Sequence, residues 1–197
     1  MLELLYPIRQ APRIPASRYW MADGKSTPKS EEMLPVVEPT GLVVGRSPRS
    51  YVHSGAKVLH PVVHLHIIDR FSRIYLQKRS RTKDLYPGRW DTAVGGHVGY
   101  GEQIGEALYR EAAEELGFYD FNPIFLDTYV FESEVEKELV NAFAAVGNFD
   151  IRPDNSEVEA GRFWTPEEIE AAIGKGVLTP NFEQEYGMFR EKLQSLL

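Results

Sequence analysis

Residues 96–118 have the sequence GHVGYGEQIGEALYREAAEELGF, which contains the clearest helical pattern in the chain. Apolar residues recur there at three- and four-residue spacing, so the pattern predicts an amphipathic helix over residues 103–116. The residues that share this spacing are Ile104, Ala107, Leu108 and Ala112. Gly117 follows directly and is a typical helix stop, because glycine adopts the left-handed conformation without strain.

Three glutamates fall on one face of this predicted helix. Glu111, Glu114 and Glu115 are spaced i, i+3 and i+4, so their side chains project within a turn of each other. Crowded carboxylates repel, and a divalent cation would compensate their charge. Mg²⁺ prefers carboxylate oxygens and binds substrate phosphates, so the pattern predicts a Mg²⁺ site, with Mn²⁺ as the alternative ion. A solvated acidic helix face is the structural alternative.

The composition excludes several kinds of site. The chain has 197 residues and a formal charge of −7, which argues against a nucleic-acid partner. It has no cysteine, so disulfides, thiolate zinc sites and cysteine nucleophiles are excluded. No stretch approaches the roughly 18 apolar residues that span a membrane, and the N-terminus lacks the basic region of a secretory signal. The predicted location is therefore the cytoplasm.

The pattern along the chain predicts an irregular N-terminal arm over residues 1–32 and one domain over residues 33–197. The proline-rich arm packs over the domain or onto a partner chain, and a homodimer contact is one such role. Apolar and β-branched runs predict strands at residues 34–37, 42–44, 58–68, 73–78, 122–131, 139–146 and 161–164. Further helices are predicted after an N-cap at Thr165 and over residues 182–197. Together these elements predict an α/β fold with a mixed sheet.

From Gly96 onward the chain fits the pattern G-x5-E-x7-R-E-U-x-E-E-x-G-U, in which U is apolar. This pattern resembles the box of the Nudix hydrolases at all seven fixed positions, and only Ala112 is smaller than usual. The fixed residues are Gly96, Glu102, Arg110, Glu111, Glu114, Glu115 and Gly117. The resemblance implies a Nudix fold, in which a mixed sheet lies between helices (α/β/α). It implies hydrolysis of a diphosphate linked to another moiety.

The same resemblance assigns roles to individual residues. Glu102 and Arg110 are expected to support the helix by pairing, and Gly95 and Gly96 to permit a tight turn before it. The three helix glutamates are expected to hold Mg²⁺, with a metal-bound water as the nucleophile. The general base is Glu114 or, from a later loop, Glu157. A surface loop acid is the bland alternative for Glu157.

A wider resemblance involves residues 77–90 and the Gly-His pair at residues 96 and 97. This region is similar to the Nudix branch that includes isopentenyl-diphosphate isomerase. The resemblance implies that Arg79 and Lys83 bind the substrate's diphosphate, with a solvated loop pair as the alternative. It also implies a second metal site at His53, His60, His97, Glu136 and Glu138. The alternative for His60, His64 and His66, which alternate with apolar residues in a predicted strand, is a structural role as hydrogen-bonded residues.

One departure bears on the reaction. The isomerase has a cysteine directly before the Gly-His pair, whereas this chain has Gly95 there. The intact box and the missing thiol favour a hydrolase of the isomerase-like branch that acts on a small-molecule diphosphate. The alternatives are an isomerase-like enzyme and a catalytically silent domain that senses a ligand. The patterns do not predict which diphosphate is the substrate.

Overall fold

The computed structural model describes residues 32–83, 85–153 and 158–197. Apart from Glu32, the predicted arm lies outside these residues. The first element is an antiparallel hairpin of β1 (Met33–Val37) and β2 (Val43–Pro48), which contains the strands predicted at residues 34–37 and 42–44. A short helix, α1 (Arg49–Val52), follows and places His53 at its C-terminal end. This helix was not predicted.

A seven-stranded mixed sheet forms the centre of the domain. Its strands are β3 (Leu59–Ile68), β4 (Ile74–Arg79), β5 (Trp90–Asp91), β6 (Val94–His97), β7 (Ile124–Glu132), β8 (Lys137–Val146) and β9 (Val158–Trp164). The order is β5-β4-β3-β8-β7, with β6 paired to β3 and β9 paired to β4. Strands β3 and β8 run parallel, and the other pairs are antiparallel. The predicted mixed sheet is confirmed.

Helices cover both faces of this sheet. They are α2 (Ile104–Leu116) on one face and α3 (Pro166–Ala172) and α4 (Pro180–Gln194) on the other. All residues of β3 are buried, because successive side chains point to opposite covered faces. Val63 and Leu65 belong to the core under α2, and Val62 and Ile68 belong to the core under α4. The predicted α/β/α layering is confirmed.

Helix α2 begins and ends where its local sequence predicts. Gln103 and Glu106 form a capping box at its start, and Gly117 ends it with a φ of 60°. Leu108 and Leu116 are fully buried, and burial of a leucine contributes roughly 1.5–3 kcal/mol. This apolar stripe fixes the rotation of the helix about its axis, and with it the direction of the glutamates.

Both C-terminal helices start at a threonine. Thr165 caps α3 through the predicted capping box. Thr179 caps α4, since its hydroxyl accepts a hydrogen bond from Phe182 N at 3.3 Å. Helix α4 therefore begins at Pro180 rather than at the predicted Phe182, and it ends at Gln194. The reason is that the second Thr-Pro pair repeats the arrangement of cap and first-turn proline at the start of α3.

Candidate active site

Gly96 lies against the carboxyl group of Glu111. A Cβ atom at position 96 would stand 2.0 Å from Glu111 Cδ, so no side chain fits there while Glu111 keeps its place. The predicted reason for Gly95 and Gly96, a tight turn, is wrong: both lie in β6 and neither has a positive φ. Glycine is needed at position 96 because α2 approaches the strand closely.

Arg110 ties helix α2 to the end of β6. Its Nε donates to Glu102 Oε1 at 2.8 Å and its Nη2 donates to Glu102 Oε2 at 2.9 Å, which makes a bidentate pair. Nη2 also donates to His97 O at 2.9 Å. Burial alone would raise the pKa of Glu102, but the bonds from Arg110 and from Gly99 N hold it below its ordinary value.

The same guanidinium contacts two of the candidate metal ligands. Arg110 Nη1 donates to Glu111 Oε1 at 2.7 Å and to Glu114 Oε2 at 3.2 Å. Burial raises the pKa of Glu111 even though the arginine lies beside it. Glu114 differs from its neighbours because 61% of its side chain is exposed. It is the box glutamate with the widest access to solvent.

Glu115 is the most deeply buried of the three, with 6% exposure. Its Oε2 accepts hydrogen bonds from Gln77 Nε2 at 3.0 Å and from Gly95 N at 3.3 Å. Burial and the adjacent charge of Glu111 raise the pKa of Glu115 to about 8, while the charge of Lys83 acts in the opposite direction. A cation beside the buried Glu115 and the largely buried Glu111 would favour their charged forms, so the residues present fit Mg²⁺.

Three histidines from different elements converge at a second place. The candidate ligand atoms of His53, His60 and His97 all lie within 4.8 Å of one another. His53 Nε2 lies 3.0 Å from His97 Nε2, and His53 Nδ1 lies 3.2 Å from Glu136 Oε2. His60 Nδ1 lies 2.9 Å from Val58 O. Its buried Nε2 has no hydrogen-bond partner among the described residues.

The surroundings of His60 and His97 favour their neutral imidazole forms. Burial lowers the pKa of His60, and burial together with the charge of Arg49 lowers that of His97 further. Neutral imidazoles bind transition metals such as Zn²⁺ and Fe²⁺, and a carboxylate beside them also accepts Mn²⁺. The trio with Glu136 therefore fits a metal ion. His60 Nε2, which has no hydrogen-bond partner among the described residues, is the nitrogen that is available to bind it.

Alternation along β6 separates the trio from the glutamates of α2. Gly96 pairs with Val63, which packs under α2, and His97 pairs with Val62, which packs under α4. Residues directly opposite in a ladder share a face of the sheet. The carboxylate-rich centre and the imidazole-rich centre therefore lie on opposite faces of one strand.

Glu138 lies on the same face as the trio, because it is the register partner of His60 across β3 and β8. Its Oε2 accepts a hydrogen bond from Asn181 Nδ2 at 3.2 Å, and Tyr129 OH donates to Asn181 Oδ1 at 2.9 Å. Burial and the charge of Glu136 raise the pKa of Glu138 to about 8. Both predicted carboxylates of the second set thus lie beside the histidines.

The sequence analysis missed an ion-paired group under α4. Glu185 is fully buried, and its two oxygens lie 3.0 Å from His64 Nδ1 and 3.2 Å from His66 Nε2. Burial opposes protonation of His64, but the charge of Glu185 prevails and raises its pKa to about 9. The sequence holds a signal for this group, since Glu185 interrupts the apolar spacing that Phe182 and Tyr186 begin.

The remaining predicted residues are placed as follows. Arg79 Nη1 donates to Asp91 Oδ2 at 3.0 Å and its Nε donates to Leu85 O at 3.0 Å. The charge of Lys83 acts on both Glu115 and His97, so its ammonium lies near both centres. Glu157, the alternative base, lies outside the described residues.

Comparison with known proteins agrees with this geometry. A family model described as NUDIX domain matches residues 58–182. The chain belongs to the NUDIX domain family. A Nudix hydrolase of Rhodococcus erythropolis is 33% identical over 158 residues, which cover 73% of this chain and 83% of that protein.

Other Nudix-like relatives differ in name. An isopentenyl-diphosphate Delta-isomerase of Clavibacter michiganensis is 27% identical over 152 residues, which cover 74% of this chain and 78% of the relative. A crystal structure of a Deinococcus radiodurans protein shares the fold with a TM-score of 0.66 and 24% identity, covering 78% of this chain and 96% of that one.

Membership of the Nudix family confirms the resemblance, the fold and the enzyme class, since Nudix hydrolases cleave phosphoanhydride bonds. The isomerase names among the relatives agree with the isomerase-like branch suggested by residues 77–97. Within the described residues, no helix has both the length and the apolar character needed to cross a membrane.

Proposed function

We propose that this chain hydrolyses the diphosphate linkage of a small organic diphosphate, such as a nucleoside diphosphate joined to another moiety. The observation that carries the proposal is the pair of adjacent carboxylates held against β6, the largely buried Glu111 and the buried Glu115. Mg²⁺ is the proposed ion and Mn²⁺ the alternative, because both accept carboxylate oxygens. Such an ion would neutralise substrate charge and make a bound water more acidic.

Each residue then has a defined task. Glu111, Glu114 and Glu115 would hold the cation, while Arg110 orients the first two through its Nη1. Glu114, the exposed member, would accept the proton of the attacking water, and Glu157 remains the alternative base. As water adds to phosphorus, the anhydride P–O bond breaks and the released phosphate group carries away the bonding electrons.

Two cationic side chains are proposed to bind the diphosphate. Lys83 lies near the box, where its charge already acts on Glu115. Arg79 lies at the end of β4, and its bonds to Asp91 and Leu85 fix the direction of its guanidinium. An ammonium supplies a point charge and a guanidinium supplies parallel donors, so the pair suits adjacent phosphate groups.

We also propose a second metal site on the opposite face of β6. His53, His60 and His97 would supply nitrogen ligands, with Glu136 and Glu138 as carboxylate ligands. The convergence of three ligand nitrogens within 4.8 Å supports this proposal. The cytoplasm stays our prediction for the location, and a homodimer contact through the arm stays a prediction for assembly.

A mass-spectrometric screen of organic diphosphates with Mg²⁺ tests the reaction. We expect the purified protein to hydrolyse at least one compound of a panel that includes ADP-ribose. We expect Glu114→Gln to lower that rate roughly 10²–10⁴-fold, the usual contribution of a general base. Glu191→Gln, which changes an exposed glutamate of α4, is the control and should keep the parent rate. Equal rates for Glu114→Gln and the parent would overturn the role of Glu114, and failure of the parent to hydrolyse any compound of the panel would refute the hydrolase proposal.

A second candidate reaction is isomerisation of a prenyl diphosphate. The histidine trio with Glu136 and the isomerase names of curated relatives favour it. The glycine at position 95 argues against it, because alkene protonation needs a placed acid. We expect isopentenyl diphosphate to remain unchanged in an isomerisation assay. Conversion to its double-bond isomer without phosphate release would replace the hydrolase proposal with this one.

A further inference from the structure

Gln77 is a polar residue at a buried position of strand β4. It follows the apolar run Ile74-Tyr75-Leu76, and only 5% of its surface is exposed. Its backbone is paired on both sides, with Asp91 of β5 and with Gly161 of β9. A residue fixed between two strands has a rigid backbone, so its side chain starts from a defined place.

The Gln77 amide is bound to the box helix. Its Nε2 donates to Glu115 Oε2 at 3.0 Å, and the bond is buried. Gly95 N donates to the same oxygen at 3.3 Å from strand β6. Two donors from two strands therefore meet on one carboxylate oxygen, and together they fix the direction in which Glu115 Oε1 points.

The chemistry of the donor matters as much as its position. An amide donates a hydrogen bond without carrying charge, so it holds the carboxylate without neutralising it. A lysine or arginine at this position would compete with a metal cation for the same negative charge. Hydrogen bonds from such neighbours orient metal ligands and limit their rotation.

We propose that Gln77 is a positioning residue that sets the orientation of Glu115 for metal binding. The inference rests on the proposed function, because it takes Glu115 to be a ligand of the catalytic cation. It adds a residue outside the box, on a different strand, to the machinery of the site. Gln77 acts through Glu115 and is not itself a ligand.

Mn²⁺ titration of the purified protein, followed by the electron paramagnetic resonance signal of free Mn²⁺, tests this inference without any substrate. All titrations use a His53→Ala background, so that binding at the histidine trio does not mask the box. We expect Gln77→Met, which keeps the length and removes the donor, to weaken Mn²⁺ binding about 10–100-fold. Gln77→Asn keeps the amide but shortens the side chain, so it should also weaken binding.

Asn141 provides the matched control. Its amide lies on β8, donates to Val62 O and Leu139 O and accepts from Thr128 Oγ1, and none of these partners is a box glutamate. Asn141→Leu removes a comparable amide, and we expect it to leave the Mn²⁺ affinity within twofold of the parent. If Gln77→Met does not yield folded protein, Gln77→Asn provides the same comparison. Unchanged affinity in whichever of these variants folds would overturn the inference.

A double-mutant cycle separates positioning from a merely structural effect. If Gln77 acts through Glu115, Gln77→Met should change the affinity less than twofold in a Glu115→Gln background. Equal fold losses in both backgrounds would overturn the inference. With a substrate from the screen, the positioning role also predicts that Gln77→Met lowers kcat at saturating Mn²⁺ while KM stays near the parent value.

The failure of this inference is distinguishable from failure of the proposed function. If Glu115→Gln weakens Mn²⁺ binding and Gln77→Met does not, the metal site stands and only the role of Gln77 is wrong. If Glu115→Gln itself leaves Mn²⁺ binding unchanged, the assigned ligands of the proposed function are wrong, and the inference falls with them.

Discussion

At Gly96 the backbone of β6 and the carboxyl group of Glu111 are in contact, and Glu111 Cδ occupies the space within 2.0 Å of a would-be Cβ. The position of the Glu111 carboxyl group therefore depends on the absence of a side chain at residue 96 as much as on its own hydrogen bonds. Gly96 has no side-chain functional group, yet its small size determines where the carboxyl group of Glu111 can lie.

This contact gives the first prediction. Gly96→Ala forces Glu111 away from β6, and we expect hydrolysis of the substrate found by the screen to fall on the order of 10²-fold, as for a misplacement of about 1 Å. Gly105→Ala is the control, because Gly105 lies on α2 with Glu111 and a Cβ at this position would meet nothing within 4 Å. That control should keep the activity and gain roughly 0.5–1 kcal/mol in stability. A Gly96→Ala enzyme with parent activity would contradict the role of this contact.

The sequence predicts the box residues but not the buried contacts of Gln77 and Glu185. The reason is that these contacts join residues far apart along the chain. The box residues lie close together in the sequence, at the end of β6, in the following loop and on α2, and helical spacing alone places Glu111, Glu114 and Glu115 together. The contact from Gln77 to Glu115 depends on the order of the strands, which no local pattern contains. The same holds for Glu185, whose partners lie on β3.

Among the elements, α4 contacts the sheet through a buried charged residue as well as through apolar side chains. Its apolar face is interrupted by Glu185, which is held between His64 and His66 of β3. A buried carboxylate is costly without a partner, so the stability contributed by α4 depends on the charge of His64. The sequence pattern predicted a helix over residues 182–197, but it did not indicate that the stability of this helix would depend on the protonation of a buried histidine.

The second prediction follows from the pKa values of the ion pair. The folded-state pKa of His64 is about 9, above its ordinary 6.5, so its contribution is full below pH 6.5 and is lost as pH rises through 9. The pKa of Glu185 is held below its ordinary value, chiefly by His64 against the opposing effect of burial. Its contribution is therefore present above pH 4.5 and is lost in stronger acid.

Urea unfolding at pH 7 and at pH 10 measures this effect. We expect the unfolding free energy of the parent to fall between these two values. Glu185→Gln should be roughly 3–5 kcal/mol less stable at pH 7, because it leaves the imidazoles without a buried partner, and its loss at pH 10 should be smaller. Glu191→Gln, an exposed change on the same helix, should follow the parent. A Glu185→Gln protein with the parent's pH dependence would contradict the assignment.

In the whole molecule, two clusters of metal-type ligands flank one sheet. The proposed oxygen ligands lie on the side of α2, and the proposed ligands on the side of α4 are mainly nitrogen atoms. These sets prefer different ions, since carboxylates suit Mg²⁺ and imidazoles suit transition metals. The fold class was predictable from periodicity, whereas the separation of the two sets by β6 required the strand register.

The third prediction concerns the second set. We expect Zn²⁺ to raise the Tm of the parent protein, since an ion at about 100 times its Kd stabilises by ~2.7 kcal/mol. His60→Ala should abolish most of this rise, because it removes the buried nitrogen that has no partner among the described residues. Glu111→Gln should keep the rise, because Glu111 belongs to the other face. An equal rise in His60→Ala would show that the trio does not bind the ion.

Strand β6 has only four residues, Val94–His97, yet consecutive positions of it serve separate centres. Because neighbouring positions of a strand face opposite sides of the sheet, a substitution at one position of β6 alters the surroundings of one cluster and leaves the side chains of the other cluster in place.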